Sequence, residues 1–106
     1  MRILFVCTGN SCRSPMAELY FDDLCRRAGR SDFLVRSAGT CTGDGGTVSR
    51  GAASVMQALN IDSSRFRSRS LTPALAAESD LIVAMTASHR QAVLALAPDA
   101  ASKVHL

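Results

Sequence analysis

No apolar run in the sequence approaches the length of a membrane-spanning helix, and Met1-Arg2 leads straight into a short apolar stretch without a signal-peptide cleavage pattern. The chain is therefore expected to be cytoplasmic, with no membrane partner. Lysine is nearly absent: Lys103 stands alone against eleven arginines spread from Arg2 to Arg90. A nucleic-acid binder of this size carries a denser basic stripe with aromatic or helix-turn-helix signals, so no nucleic-acid partner is expected despite the net charge of +3. Three prolines and seven glycines in 106 residues, beside 47% hydrophobic content, exclude a collagen-like or disordered chain. Histidine is scarce as well. His89 and His105 lie far in sequence from Cys7, Cys12, Cys25 and Cys41, which leaves no close ligand pairs for zinc. Neither a metal nor a cofactor is expected, and the four cysteines read as free thiols.

What is present is one domain, residues 1–106, of alternating strands and helices. Arg2–Val6 is a short apolar, β-rich run of the kind buried on both faces. Ser14-Pro15 reads as a cap followed by proline at the first helical position, with Met16, Leu19, Tyr20 and Leu24 as the inner helical face and Gly29 as the stop. Phe33–Ser37 reads as a second strand and the Gly-rich residues 40–48 as an exposed loop. A helix is expected over about Arg50–Leu59, facing inward with Ala52, Val55, Met56 and Leu59. Asp62–Ser70, with Arg65, Arg67 and Arg69, reads as a solvated connection able to steer anions. Thr72-Pro73 opens a short helix to about Glu78, and Asp80–Met85 is a third buried strand. Thr86 or Ser88 opens a helix to about Ala97, with Ala92, Val93 and Leu96 inward, and Val104–Leu106 starts a fourth strand. The order predicts a three-layer α/β/α fold on a central four-stranded parallel sheet, whose ligands bind at the carboxyl ends of the strands.

Cys7 stands at the end of the first strand. Cys7-Thr8-Gly9-Asn10-Ser11-Cys12-Arg13-Ser14 is Cys-x5-Arg-Ser, and Gly9 and Asn10 are the residues that most easily take a positive φ. Successive N–H groups of such a turn can hold an anion, and the helix behind them adds its positive dipole end. Arg13 can close a fork on two phosphate oxygens, and the same positive ends favour a Cys7 thiolate able to attack phosphorus. The hydroxyl of Ser14 is placed to hydrogen-bond the sulfur as it leaves. Thr8, Gly9, Asn10, Ser11, Cys12 and Arg13 are the expected phosphate-binding residues. The loop is not a Walker motif, because no Gly-Lys-Ser/Thr is present. Cys-x5-Arg alone is a weak signal that also fits a buried cysteine before a turn; the strand before it, Gly-Asn within it and the Ser-Pro helix start behind it favour the phosphate-binding reading.

Residues 6–18, VCTGNSCRSPMAE, resemble the signature of the low molecular weight protein tyrosine phosphatases. The likeness continues in Arg36–Gly39, Ser68–Thr72 and Asp80–Thr86 and covers nearly the whole chain. It implies a protein tyrosine phosphatase, hydrolysing phosphotyrosine-type phosphomonoesters through a phosphocysteine, with Cys7 as nucleophile, Arg13 as phosphate clamp and Ser14 as the partner of the thiolate. Asn10 and Ser37 are implied to support the loop. Cys12 either fills space beneath the loop or, as the resemblance favours, serves as a resolving thiol that pairs with oxidised Cys7.

Two departures from the family matter. Its general acid comes from an Asp-Pro-aromatic segment, which these residues do not contain; Asp44 and Asp99 match no motif and read as surface carboxylates. The domain is thus expected to lack the C-terminal acid loop and helix, to be impaired in turnover or to act as a phosphate-binding module, and to self-associate through exposed sheet surface. At Ser11 many tyrosine-directed members carry a bulky aliphatic residue. A small hydroxyl residue resembles the branch acting on phosphoarginine, and also thioredoxin-coupled arsenate reductases. The latter reading fails on the cysteines, since Met85–Gln91 contains none and neither Cys25 nor Cys41 matches. His89 and His105 read as surface residues. The expected partner is a phosphorylated protein.

Overall fold

The computed structural model describes residues 1–106. Four parallel strands, β1 (Arg2–Cys7), β2 (Leu34–Gly39), β3 (Leu81–Ala84) and β4 (Val104–His105), lie in the order β2-β1-β3-β4. The central strand β1 pairs along its length with β2, from Arg2↔Leu34 to Cys7↔Gly39, and with β3 from Ile3↔Leu81 to Val6↔Ala84. The four helices are α1 (Arg13–Arg27), α2 (Arg50–Ala58), α3 (Pro73–Glu78) and α4 (Ala87–Leu96), and a 3-10 helix over Pro98–Lys103 leads into β4. This is the expected α/β fold with an all-parallel sheet between helices.

Strand alternation sorts the two faces. Leu4, Val6, Ile82, Ala84 and Val104 form one buried cluster with Ala76 of α3, Val93 of α4 and Ala100 of the 3-10 helix. Ile3, Phe5 and Cys7 point the other way, toward α1, where Phe21 packs against Phe5 and Phe33 at centroid distances of 6.1 and 5.8 Å. Leu81 and Val83 share that second face but stay half-buried, because α1 covers β1 and β2 rather than β3.

The local signals mostly hold. Thr72, Ser49 and Thr86 cap α3, α2 and α4 by accepting from Leu75, Ala52 and His89 N–H respectively. Gly29, at φ +69°, ends α1 two residues past Arg27. Three expectations need correction. Helix α1 begins at Arg13 with Cys12 as its cap and no capping side chain, because the Ser14 hydroxyl is engaged elsewhere. Its inward residues are Ser14, Glu18, Phe21 and Cys25, whereas Tyr20 and Leu24 are exposed. Val55, Leu59 and Leu96 are likewise outside, since short helices on a sheet bury a narrower stripe than their apolar residues span. Truncating Ile82, fully buried on both sides, should cost about 2–5 kcal/mol, whereas Val55→Ala should stay within about 0.5 kcal/mol. Urea denaturation of the two variants checks the assignment of core and surface.

Candidate active site

The turn between β1 and α1 carries residues 8–12, at the carboxyl ends of three strands. Not one backbone N–H from Thr8 to Cys12 donates a hydrogen bond within the chain. The carbonyls of the same turn are engaged by their surroundings. Cys7 O accepts from Thr40 N at 2.9 Å, Thr8 O from Cys41 N at 3.0 Å, Ser11 O from Ser49 N at 2.6 Å and Cys12 O from Met16 N at 3.1 Å. Carbonyls turned outward and amides left free are the arrangement that receives an anion. The first turn of α1 starts where the free amides end, which adds its positive end.

Asn10 holds this shape. It is fully buried at φ +48°, a left-handed conformation that asparagine tolerates better than most residues. Its Nδ2 donates to Ser14 Oγ at 2.9 Å and to Ser37 Oγ at 2.8 Å, and its Oδ1 accepts from Arg69 N at 2.8 Å. The Ser14 oxygen in turn lies 2.8 Å from Cys7 Sγ, and Ser37 Oγ donates to Glu18 Oε1 at 2.7 Å. Cys7, Asn10, Ser14 and Ser37 are all buried. Positive φ falls on Asn10 alone, not on Gly9. A second glycine is indispensable instead: a Cβ on Gly39 would lie 2.6 Å from the Thr8 carbonyl oxygen, so β2 can pass this close only without a side chain.

At the rim, Thr8, Cys12 and Arg13 are exposed and Gly9 and Ser11 half-buried. Exposure of Cys12 removes the reading in which it fills space beneath the loop. Arg13 takes no part in the three ion pairs, Arg26–Asp22, Arg27–Asp23 and Arg30–Asp32, and is free to meet an anion. The largest surface cleft, about 630 Å³ between Thr47-Val48, α2 and Asn60–Ser64, contains none of the loop residues. No three His, Cys, Asp or Glu side chains come together in a group able to hold a metal ion.

Three participants escaped the sequence reading. Glu18 sits one turn beyond Ser14 on the buried face of α1, a position visible only once the correct face is known. Arg69 contributes its backbone, so the segment before it is an anchor as well as a connection; Gly39 N donates to Arg69 O at 2.9 Å and Leu71 N to Gly39 O at 2.8 Å. His89 is buried rather than on the surface, with Nε2 2.7 Å from Thr8 Oγ1 and Nδ1 3.0 Å from Thr86 Oγ1. The signal was Thr86-x-x-His89, a cap with a polar side chain three residues on.

The two titratable groups whose ordinary values are shifted here, buried His89 and half-buried Glu18, work in opposite directions. Burial first, and the nearby Arg13 guanidinium second, hold His89 below its ordinary value of 6.5. Its contribution to stability is therefore complete above about pH 6.5 and is lost as the pH falls from there through the folded value, because the unfolded chain takes up the proton first. Burial raises Glu18 above 4.5, against the lowering effects of the Ser37 hydrogen bond and of Arg69 and Arg36. Its contribution is greatest below that value and is lost as the pH rises through the folded value.

A family profile for low molecular weight phosphotyrosine protein phosphatase matches residues 2–106. A protein-arginine-phosphatase of Bacillus subtilis is 40% identical over 93 residues, covering 88% of this chain and 61% of that protein. Low molecular weight protein-tyrosine phosphatase A of Mycobacterium tuberculosis is 38% identical over 103 residues, covering 95% and 62%. Among solved structures, the YwlE arginine phosphatase, a cysteine-to-serine mutant with phosphorylated active site serine, superposes with a TM-score of 0.92 at 36% identity, over 98% of this chain and 67% of that one. A low molecular weight protein tyrosine phosphatase from T. tengcongensis gives 0.91 at 39% identity, over 98% and 71%. The parallel α/β fold that carries this turn is thus shared with proteins named as phosphatases. The chain belongs to the low molecular weight phosphotyrosine protein phosphatase family, and it spans about three-fifths of the length of these curated relatives.

Two outcomes test the site. Asn10→Ala strands the Arg69 N–H and forces a less tolerant residue to positive φ, so unfolding free energy should drop by about 2–4 kcal/mol in denaturant titration. The share of stability that His89 contributes should be lost as the pH falls below about 6.5, so unfolding free energies of the unaltered chain and of His89→Gln, compared across pH, should diverge in slope there, the variant being the flatter.

Proposed function

We propose that the chain carries the nucleophilic half of a phosphoprotein phosphatase site, working through a phosphocysteine. The observation that carries the reading is the run of free amides from Thr8 to Cys12, closed at one end by Cys7 and at the other by Arg13. Phosphate oxygens occupy the amides and the guanidinium, which places phosphorus over Cys7 Sγ. The thiolate attacks, an S–P bond forms, and the ester oxygen leaves with the electron pair of its bond to phosphorus and takes a proton from solvent water. Water then attacks the phosphocysteine, releasing phosphate and returning the sulfur as a thiolate. Ser14 Oγ, already receiving a hydrogen from Asn10, has its own hydrogen available for that sulfur.

Cys7→Ser should abolish hydrolysis of an aryl phosphate and leave phosphate binding by calorimetry largely intact. Undiminished turnover in that variant would discard the mechanism; phosphate binding with no turnover in the unaltered chain would point to a binding module. A residue positioned to protonate the leaving group is worth about 10²–10⁴ in rate. Since no Asp-Pro-aromatic segment lies within these 106 residues, phosphotyrosine turnover by this chain should fall short of a full-length relative by about that factor.

Arginine phosphate is the second substrate reading. It is favoured by Ser11, half-buried at the rim, and by the similarity to proteins named as arginine phosphatases. A serine leaves open space beside the phosphate that a bulky aliphatic residue fills. Ser11→Ile should shift the ratio of kcat/KM values from phosphoarginine toward phosphotyrosine, measured on paired peptides; an unchanged ratio would remove the role given to Ser11.

A further inference from the structure

His89 is the one buried side chain that joins α4 to the anion-receiving turn. Its imidazole Nε2 lies 2.7 Å from the hydroxyl of Thr8, the residue next to Cys7, and its Nδ1 lies 3.0 Å from the hydroxyl of Thr86. Thr86 Oγ1 also accepts the His89 backbone N–H at 3.3 Å, which fixes the residue within the first turn of the helix. A neutral imidazole has one N–H and one bare nitrogen, so with two hydroxyls in reach it donates to one and accepts from the other. The far side of the turn is held by Asn10 and by the Ser11–Ser49 backbone contact. On the near side Thr8 has its carbonyl bonded to Cys41, and its side chain is bonded to His89 alone. Packing by itself would not ask for a polar ring here; an apolar side chain would fill the space without burying two nitrogens.

We propose that His89 is a positioning residue for the anion site, whose neutral, singly oriented ring holds Thr8 against α4 and so fixes the first of the free amides. The inference rests on the turn being the phosphate site argued above. The charge acting on the ring is the Arg13 guanidinium of α1, which, with burial, opposes its protonation. An amide displaced by about an ångström no longer meets its oxygen, and errors of that size cost up to about a hundredfold in a pre-organised site.

The test uses sulfate, a tetrahedral dianion whose own charge does not change near neutrality, and nitrogen NMR of the imidazole. In the unaltered chain at neutral pH the His89 ring should show one protonated and one bare nitrogen, not the averaged pair of a free imidazole. His89→Ala should weaken sulfate binding about tenfold or more and shift the Thr8 amide, and His89→Gln, whose amide can still reach Thr8, should restore most of the affinity. Urea midpoints of both variants separate this from loss of fold, and His89→Gln carries the test if His89→Ala does not fold. Averaged ring nitrogens, or sulfate bound equally well by His89→Ala, would overturn the role of His89 while leaving the site itself standing. Failure of sulfate and phosphate to bind the unaltered chain would overturn the site and this inference together.

Discussion

Everything at the mouth of the sheet hangs on the side chain of Asn10. A buried primary amide carries two N–H donors and a carbonyl acceptor, and here each is engaged by a different part of the chain: α1 through Ser14, β2 through Ser37 and the segment before α3 through Arg69. The bonds replace those the amide would have made to water, so each is worth little alone. Losing any one of them would cost more, since the partner would be left buried and unpaired. The amide also orders the hydrogens around it. By donating to Ser14 and Ser37 it leaves each hydroxyl one hydrogen, which Ser37 gives to Glu18 and Ser14 has free for Cys7.

Charge is layered around this amide. Glu18 lies beneath it at the sheet, while Arg13 stands exposed at the rim. The carboxyl group of Glu18 reaches Asn10 only through the hydroxyl of Ser37. His89 completes the arrangement from the opposite side, uncharged because burial and Arg13 both oppose its protonation. The free amides of Thr8 to Cys12 and the exposed Arg13 thus stand at one end of the loop, and the Glu18 carboxyl group behind Ser37.

The strands, the caps at Thr72 and Thr86 and the stop at Gly29 were legible in the sequence, because each follows from local chemistry: apolar β-branched runs, a hydroxyl before a helix, a residue without a side chain at positive φ. The turn from Cys7 to Ser14 was legible too, and Ser37 came from the family likeness. The face of α1 was not. Met16, Leu19, Tyr20 and Leu24 make the more apolar stripe, yet the helix turns Ser14 and Glu18 inward because the hydrogen bonds to Cys7, Asn10 and Ser37 are available only there. His89 escaped for the same reason. A polar residue buried through partners eighty-one positions away leaves only a faint trace in its own neighbourhood.

The separations along the chain bear on how the molecule comes into being. Asn10 reaches 4, 27 and 59 residues ahead for its partners, and the central strand β1 finds one neighbour only at Leu81–Ala84. A polypeptide leaving the ribosome therefore exposes the complete Cys7–Ser14 sequence almost at once, yet lacks the contacts that shape it until more than half of the chain has followed. Loop closure must be paid for before those contacts return anything, which makes such topologies slow to fold. The arrangement of free amides is accordingly a property of the finished sheet rather than of the eight-residue motif, and its first appearance during synthesis marks the moment at which the strands have closed.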